Sequence, residues 1–193
     1  MALERKDFCR EVRLSEFLLA RNYCTIIHKE SKTMAITEIE RKFWVEDGTW
    51  RNSSIKQSHI LQGYFKRGGS DYASVRVRII DDEALLTIKG KIVGCSRREF
   101  EYKIPVDDAK ELMKLFCTGR TIEKNRYFVP AAEEGLFWEI DEYLGPFSGH
   151  FTAELEIPSE NFKFNMPEWL GEEKTDDRRF SNASLAMSQH WPE

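Results

Sequence analysis

The chain has 193 residues, enough for one domain with a buried core, or for one domain with an appendage. Apolar residues make up 41% and aromatic residues 12%, which excludes a disordered chain, while the 32% charged share exceeds the usual quarter. Lysine and arginine number 29 against 33 acids, so the net charge of −4 argues against a uniformly basic nucleic-acid binder.

Residues 1–33 stand apart as an N-terminal extension. Phe8, Val12, Phe17, Leu18 and Leu19 suit one side of a short helix. Met34 offers a second start, which would make that extension dispensable; a packed N-terminal helix is the alternative. From Met34 to Glu193 we read one domain. Period-two alternation predicts strands near 36–45, 57–66, 73–80, 83–90 and 97–104. Pro105 then ends a strand and a helix follows. Asp107 or Asp108 is its expected cap, and Asp108 with Glu111 has capping-box spacing. Ala109, Leu112, Met113 and Phe116 form its apolar stripe. Further strands are expected near 120–129, 136–144 and 151–157. Arg67-Gly68-Gly69, Asp81-Asp82, Gly90 to Gly94 and Gly145-Pro146 mark turns. A short helix is expected to start at Pro167–Leu170, and another spans Asn182–Gln189.

The charges are sorted by strand. Side chains at i and i+2 share a face. Glu38, Glu40 and Lys42 therefore point one way, away from Ile39 and Phe43. Arg76 and Arg78, Lys89, Glu99 and Glu101, Lys124 and Arg126, Glu139 and Asp141, and Glu154 and Glu156 each oppose an apolar face. One such pair is unremarkable on a solvated sheet, where cross-strand charge pairs contribute about 0.2–1 kcal/mol. Acid pairs on four strands are different, because close carboxylates repel unless a cation lies between them. They are hard oxygen ligands suited to Mg2+ or Mn2+. Paired bases suit phosphate oxygens. Closing the strands into a barrel would gather these faces round a lumen. The outside would then be apolar, for the helices to cover.

Other chemistries are excluded. Cys9, Cys24, Cys95 and Cys117 are scattered without a CxxC pair, so a zinc ribbon is ruled out and free thiols in a reducing cytoplasm are expected. His28, His59, His150 and His190 are isolated. Walker A, GxGxxG and GxSxG motifs are lacking. No apolar run reaches the ~18 residues of a membrane span, and the first residues lack a signal-peptide core.

Glu38-Ile39-Glu40-Arg41-Lys42 resembles the ExExK signature of the CYTH superfamily, the triphosphate tunnel metalloenzymes. In order there follow Gln62-Gly63-Tyr64 (QGY), Arg76-Val77-Arg78 (RxR), Thr87-Ile88-Lys89-Gly90 (TIKG), Arg98-Glu99-Phe100-Glu101-Tyr102 (REFEY) and Lys124-Asn125-Arg126-Tyr127 (KxRY). Trp138 to Asp141, Ala153 to Glu156, and a tail from Phe180 to Ala186 complete the resemblance, which covers residues 34 to 189. It implies a mainly β (α+β) fold, an eight-stranded antiparallel closed β-barrel tunnel with peripheral helices. The tail would precede a C-terminal plug helix.

By position, the resemblance makes Lys42, Arg76, Arg78, Lys89, Lys124 and Arg126 the phosphate-binding set. Glu38, Glu40, Glu154 and Glu156 become the main ligands of Mg2+ or Mn2+. Lys42, Glu99, Glu101 and Asp141 become the catalytic set, the acids completing metal or water positioning. Glu139 stands between a site role and a structural salt bridge. Lys103 is read as a solvated strand end, Lys91 as loop, and Cys95 and Cys117 as structural. The implied activity is metal-dependent hydrolysis of a triphosphate, foremost tripolyphosphate to pyrophosphate and phosphate. Alternatives are a nucleoside or thiamine triphosphatase, a class IV adenylate cyclase and a non-catalytic polyphosphate-binding module. A triphosphate is the expected partner, not nucleic acid or membrane, and the oligomeric state is not legible.

Overall fold

The computed structural model describes residues 39–65, 74–90 and 99–193. The expected N-terminal helix, Glu38, Arg98, Cys9, Cys24, Cys95 and Lys91 lie outside the described residues, as do most of the two glycine-rich turns. The described strands are β1 (Ile39–Val45), β2 (Lys56–Phe65), β3 (Ser74–Ile80), β4 (Glu83–Lys89) and β5 (Glu99–Ile104). After helix α1 (Val106–Phe116) come β6 (Cys117–Pro130), β7 (Phe137–Tyr143), β8 (Phe151–Ile157) and β9 (Leu170–Glu173), then helix α2 (Asn182–Met187).

They form one antiparallel sheet in the order β5-β4-β3-β2-β6-β7-β8-β1-β9. Among the described residues the ladder is not closed by hydrogen bonds. Charges are nevertheless felt across it. Tyr64 on β2 feels the charge of Lys42 on β1, and Glu40 on β1 feels that of Lys89 on β4. Those strands are far apart in the ladder, so the sheet curls until its charged face is internal.

Register keeps that face consistent. Lys42 lies opposite Glu154, Glu139 opposite Glu154, Asp141 opposite Arg126, Arg78 opposite Gln62, Thr87 opposite Arg76, and Glu101 opposite Thr87. A slip of one residue would turn every one of these groups outward. Asp81 occupies the tight β3–β4 turn with φ 49°, a conformation Asp tolerates. Its carboxylate accepts a hydrogen bond from His59 N at 2.8 Å.

The outer face is apolar, as predicted, and two groups of residues cover it. Ala109, Leu112 and Met113 of α1 pack on Val77, Ile79 and Ala84. Trp50, Phe162, Phe164, Trp169 and Leu170 pack on Phe43, Trp138, Ile140, Ala153 and Leu155. Phe43, Trp50, Trp138, Ile140 and Leu155 are buried nearly completely, each contributing about 1.5–3 kcal/mol. Helix α2 does not join this cover. Leu185 and Ala186 pack against Tyr64, Ile122 and Tyr143 at one end of the inner face.

Three local expectations need correction. Helix α1 is capped by neither Asp107 nor Asp108: Pro105 stands at its N-cap without a side-chain hydrogen bond, and Ala109 N donates to Pro105 O at 3.0 Å. Proline's fixed φ already suits a helix start. The segment from Pro167 to Leu170 is a turn, closed by Leu170 N donating to Pro167 O, and leads into β9 instead of a helix. Pairing with the free edge of β1 outweighs local helix preference there. That adds a ninth strand to the eight predicted.

Candidate functional site

The inner face carries two electrostatically different walls. On the wall formed by β1, β6, β7 and β8, Lys42, Lys124 and Arg126 each meet an acid. Arg126 donates from Nε to Asp141 Oδ1 at 2.6 Å, and from Nη2 to Asp141 Oδ2 at 2.7 Å and Glu154 Oε2 at 3.0 Å. Its Nη1 donates to Glu139. Lys124 Nζ donates to Asp141 Oδ2. Lys42 Nζ lies 2.7 Å from Glu154 Oε1 and donates to Phe180 O at 3.2 Å. Three cations and three carboxylates thus form one neutral network.

Burial sets the titration of this wall. Desolvation alone would disfavour ionised Lys42, but Glu154, Tyr143 and Glu40 outweigh it and raise its pKa. Glu154 is likewise desolvated, yet Lys42, Arg126 and Lys124 hold it well below the usual carboxylate range. Asp141 is wholly buried, and Arg126 and Lys124 still keep it ionised. Burial pulls the Lys124 ammonium down against the opposing charge of Asp141. Lys124 is itself 0% exposed, so its amine sits behind Arg126's carboxylate partner and out of contact with solvent.

The second wall, β2 to β5, is richer in uncompensated positive charge. Arg78 Nε donates to the neutral Gln62 amide at 2.9 Å, and Gln62 in turn donates to Tyr64 OH at 3.0 Å. Burial and then the charge of Arg76 depress the Arg78 guanidinium to about 10. Arg76 Nη2 donates to Thr87 Oγ1 at 3.2 Å and lies 3.7 Å from Glu101 Oε2; its Nε is buried with no hydrogen-bond partner. Glu101 accepts from Thr87 Oγ1 at 2.8 Å, and Glu99 pairs with Lys89 Nζ at 2.6 Å. Glu99 and Glu101 thus pair with the bases of this second wall.

Glu40 is opposite Glu156 in the β1–β8 ladder and two residues from Lys42. It opens to solvent, yet protein crowds it. The charge of Glu154, and then burial, raise its pKa. Carboxylates forced together in this way are the donor chemistry of a hard divalent cation. Among the described residues no three acidic, histidine or cysteine side chains converge closely enough to hold a metal unaided. Glu38, assigned to the same set, lies outside the described residues. Lys103 is exposed and pairs with Glu83, as a solvated strand end should.

Gln62, Tyr64 and Thr87 stand in the QGY and TIKG motifs and Phe180 in the tail, yet the sequence assigns none of them a role, and all contact the site. Gln62 and Thr87 are wholly buried on the charged face. Their alternation with apolar neighbours was available as a signal; the absence of charge hid it. The Phe180 carbonyl had no signal, because a long-range backbone contact leaves no local pattern.

The geometry can be set beside known proteins. The CYTH domain model matches residues 37–182. An inorganic triphosphatase of Acetivibrio thermocellus is 41% identical over 153 residues, covering 79% of this chain and 95% of the relative. An inorganic triphosphatase of Nitrosomonas europaea is 36% identical over 155 residues, covering 79% and 99%. The crystal structure of the inorganic triphosphatase NE1496 superposes with a TM-score of 0.61 at 31% identity, over 81% of this chain and 98% of that one. The charged inner face thus lies within a match spanning most of the protein, and the chain belongs to the CYTH domain family.

Proposed function

We propose that this protein hydrolyses inorganic tripolyphosphate to pyrophosphate and phosphate, using Mg2+ or Mn2+, within residues 34–193. One observation carries the reading: Arg76 and Arg78 stand side by side on an inner face without full acid compensation, across from a wall rich in carboxylates. Two partly buried guanidiniums that repel each other favour a multivalent anion. The relatives named inorganic triphosphatase support tripolyphosphate as that anion.

Glu40, Glu154 and Glu156, with Glu38, are the residues to hold the cation. Their fit rests on the crowding that raises Glu40. A divalent cation bound there supplies charge neutralisation for phosphate oxygens and a water of lowered pKa. The protein's own groups do the rest. Arg76, Arg78 and Lys89 bind and orient the phosphate chain. Lys42, held cationic, offers its remaining N–H to the reacting end, where a loose transition state spreads charge over the equatorial oxygens. Arg126 fixes Glu154 and Glu139. Asp141 holds Arg126, and Lys124, placed by sequence among the phosphate-binding bases, donates instead to that same enclosed carboxylate. Glu99 and Glu101 position Lys89 and Arg76. Water adds to the terminal phosphorus, the bridging P–O bond breaks, and pyrophosphate leaves.

Bases that face inward suit a small anion and not nucleic acid. No helix among the described residues is long and apolar enough to cross a membrane. Cys117 is a free thiol, in keeping with the reducing cytoplasm we propose. The test is product release from tripolyphosphate, ATP and thiamine triphosphate, each with Mg2+, Mn2+ or EDTA. Rapid, EDTA-sensitive tripolyphosphate turnover is expected. Preference for ATP or thiamine triphosphate would replace the substrate. Cyclic AMP with pyrophosphate would indicate a cyclase, and metal-dependent binding without turnover a binding module.

A further inference from the structure

We propose that Trp191 is a positioning residue for Lys42, acting through Phe180. The segment after β9 holds Lys42 at three atoms. Lys42 N donates to Thr175 Oγ1 at 3.0 Å, Lys42 O accepts from Lys174 N at 2.7 Å, and Lys42 Nζ donates to Phe180 O at 3.2 Å. An ammonium has three N–H donors. Glu154 and the Phe180 carbonyl take two, so they decide where the third points. Any shift of the Phe180 backbone therefore swings the one donor left for phosphate.

Phe180 N donates to Asp177 O at 3.1 Å, and Lys174 and Arg179 lie over its ring; the other contacts that hold the ring are aromatic. Its ring meets Trp44 edge-on at 5.0 Å and Trp191 at 6.0 Å. Trp191 in turn contacts Trp44 at 5.7 Å, Tyr143 at 4.9 Å and Phe147 at 5.6 Å, and stacks on His150 at 4.4 Å with 3° between planes. Trp44 is two residues from Lys42 on β1, and Tyr143 belongs to the inner face of β7. One indole thus bridges the strands that carry the site and the segment that aims Lys42. The indole meets the rings of Phe180 and Trp44, and its effect on Lys42 passes through them.

This inference rests on the proposed role of Lys42 in binding phosphate, so its test includes a readout independent of turnover. In the full chain, Trp191→Ala, Trp191→Leu and Trp191→Phe would be compared for acylation of Lys42, mapped by mass spectrometry, for tripolyphosphate hydrolysis with Mg2+, and for melting temperature. Trp191→Leu retains apolar bulk should Trp191→Ala fail to fold. Expected is a several-fold rise in Lys42 acylation in Trp191→Ala or Trp191→Leu, largely reversed in Trp191→Phe, with kcat/KM lowered about tenfold. In a Lys42→Met background the same substitution should cost little more, since coupled residues are non-additive. Unchanged Lys42 acylation, or an undiminished loss of kcat/KM in the Lys42→Met background, would overturn the proposal. Increased acylation in a protein whose wild type has no triphosphatase activity would uphold the positioning of Lys42 and remove the proposed function.

Discussion

Arg126 donates to both oxygens of Asp141, at 2.6 and 2.7 Å, from opposite positions in the β6–β7 ladder. Lys124 donates to the same wholly buried carboxylate. Asp141→Asn would leave two buried cations sharing a neutral amide. Breaking a buried pair this way costs about 3–5 kcal/mol. Urea unfolding should show that loss, and activity should fall with it because Arg126 loses its orientation. An unshifted midpoint would mean that Asp141 carries no such network.

Arg78 differs in having a neutral partner. Arg78→Met should remove a charge-assisted phosphate contact worth about 1.5–3 kcal/mol, which is roughly 10- to 150-fold in affinity. The expected result is a KM for tripolyphosphate raised within that range. Removing one of two repelling guanidiniums should leave the melting temperature of the substrate-free protein little changed. Steady-state kinetics and thermal melts check both halves; an unaltered KM would place Arg78 away from the substrate.

Glu40 makes stability depend on pH in a definite direction. Its folded pKa is raised, first by Glu154 and then by burial, so the folded chain binds that proton more tightly than the unfolded chain does. This group's contribution therefore declines as pH rises from the ordinary value of 4.5 through the raised one. Glu40→Gln should melt higher than wild type in EDTA at about pH 8, with the difference shrinking towards about pH 4. Added Mg2+ should stabilise wild type more than the variant. A variant that melts lower at high pH would contradict the crowding of Glu40 and Glu154.

Gly119 has φ +74°, and a Cβ there would lie 2.2 Å from the carbonyl oxygen of Ala186 in α2. Both the backbone conformation and the close approach require glycine. Gly119→Ala should cost at least ~1–3 kcal/mol from backbone conformation alone and displace α2 from Tyr64 and Tyr143. Gly63→Ala meets the Cys117 Sγ at 2.7 Å, a side chain that can yield, so its cost should be smaller. Burial pushes the Cys117 thiol up to about 11, so alkylation near neutral pH should be slow in wild type and faster in Gly63→Ala. Denaturant midpoints and timed iodoacetamide labelling test these three expectations.

Much of the site is legible in one dimension because strand geometry is simple. Alternation alone assigns Lys42, Arg76, Arg78, Glu101, Arg126 and Glu154 to the face opposite the core, and register keeps them there. Contacts between strands are another matter. Nothing local distinguishes Lys124, enclosed against Asp141, from Lys89, paired at a partly exposed position with Glu99. The two lysines have the same chemistry and the same alternation; curvature of the sheet separates them.

The sequence by itself determined the class of this protein. Its period-two alternation specifies strands, its acid and base pairs specify a charged face, and the ordered motifs specify the family. These are local properties, set by side-chain direction and composition. Tertiary structure alone decided which charges neutralise one another, that β9 adds to the edge of β1, and that Phe180 O reaches Lys42. Each joins residues far apart in the chain, so each depends on where folding brings them, and no local pattern encodes that.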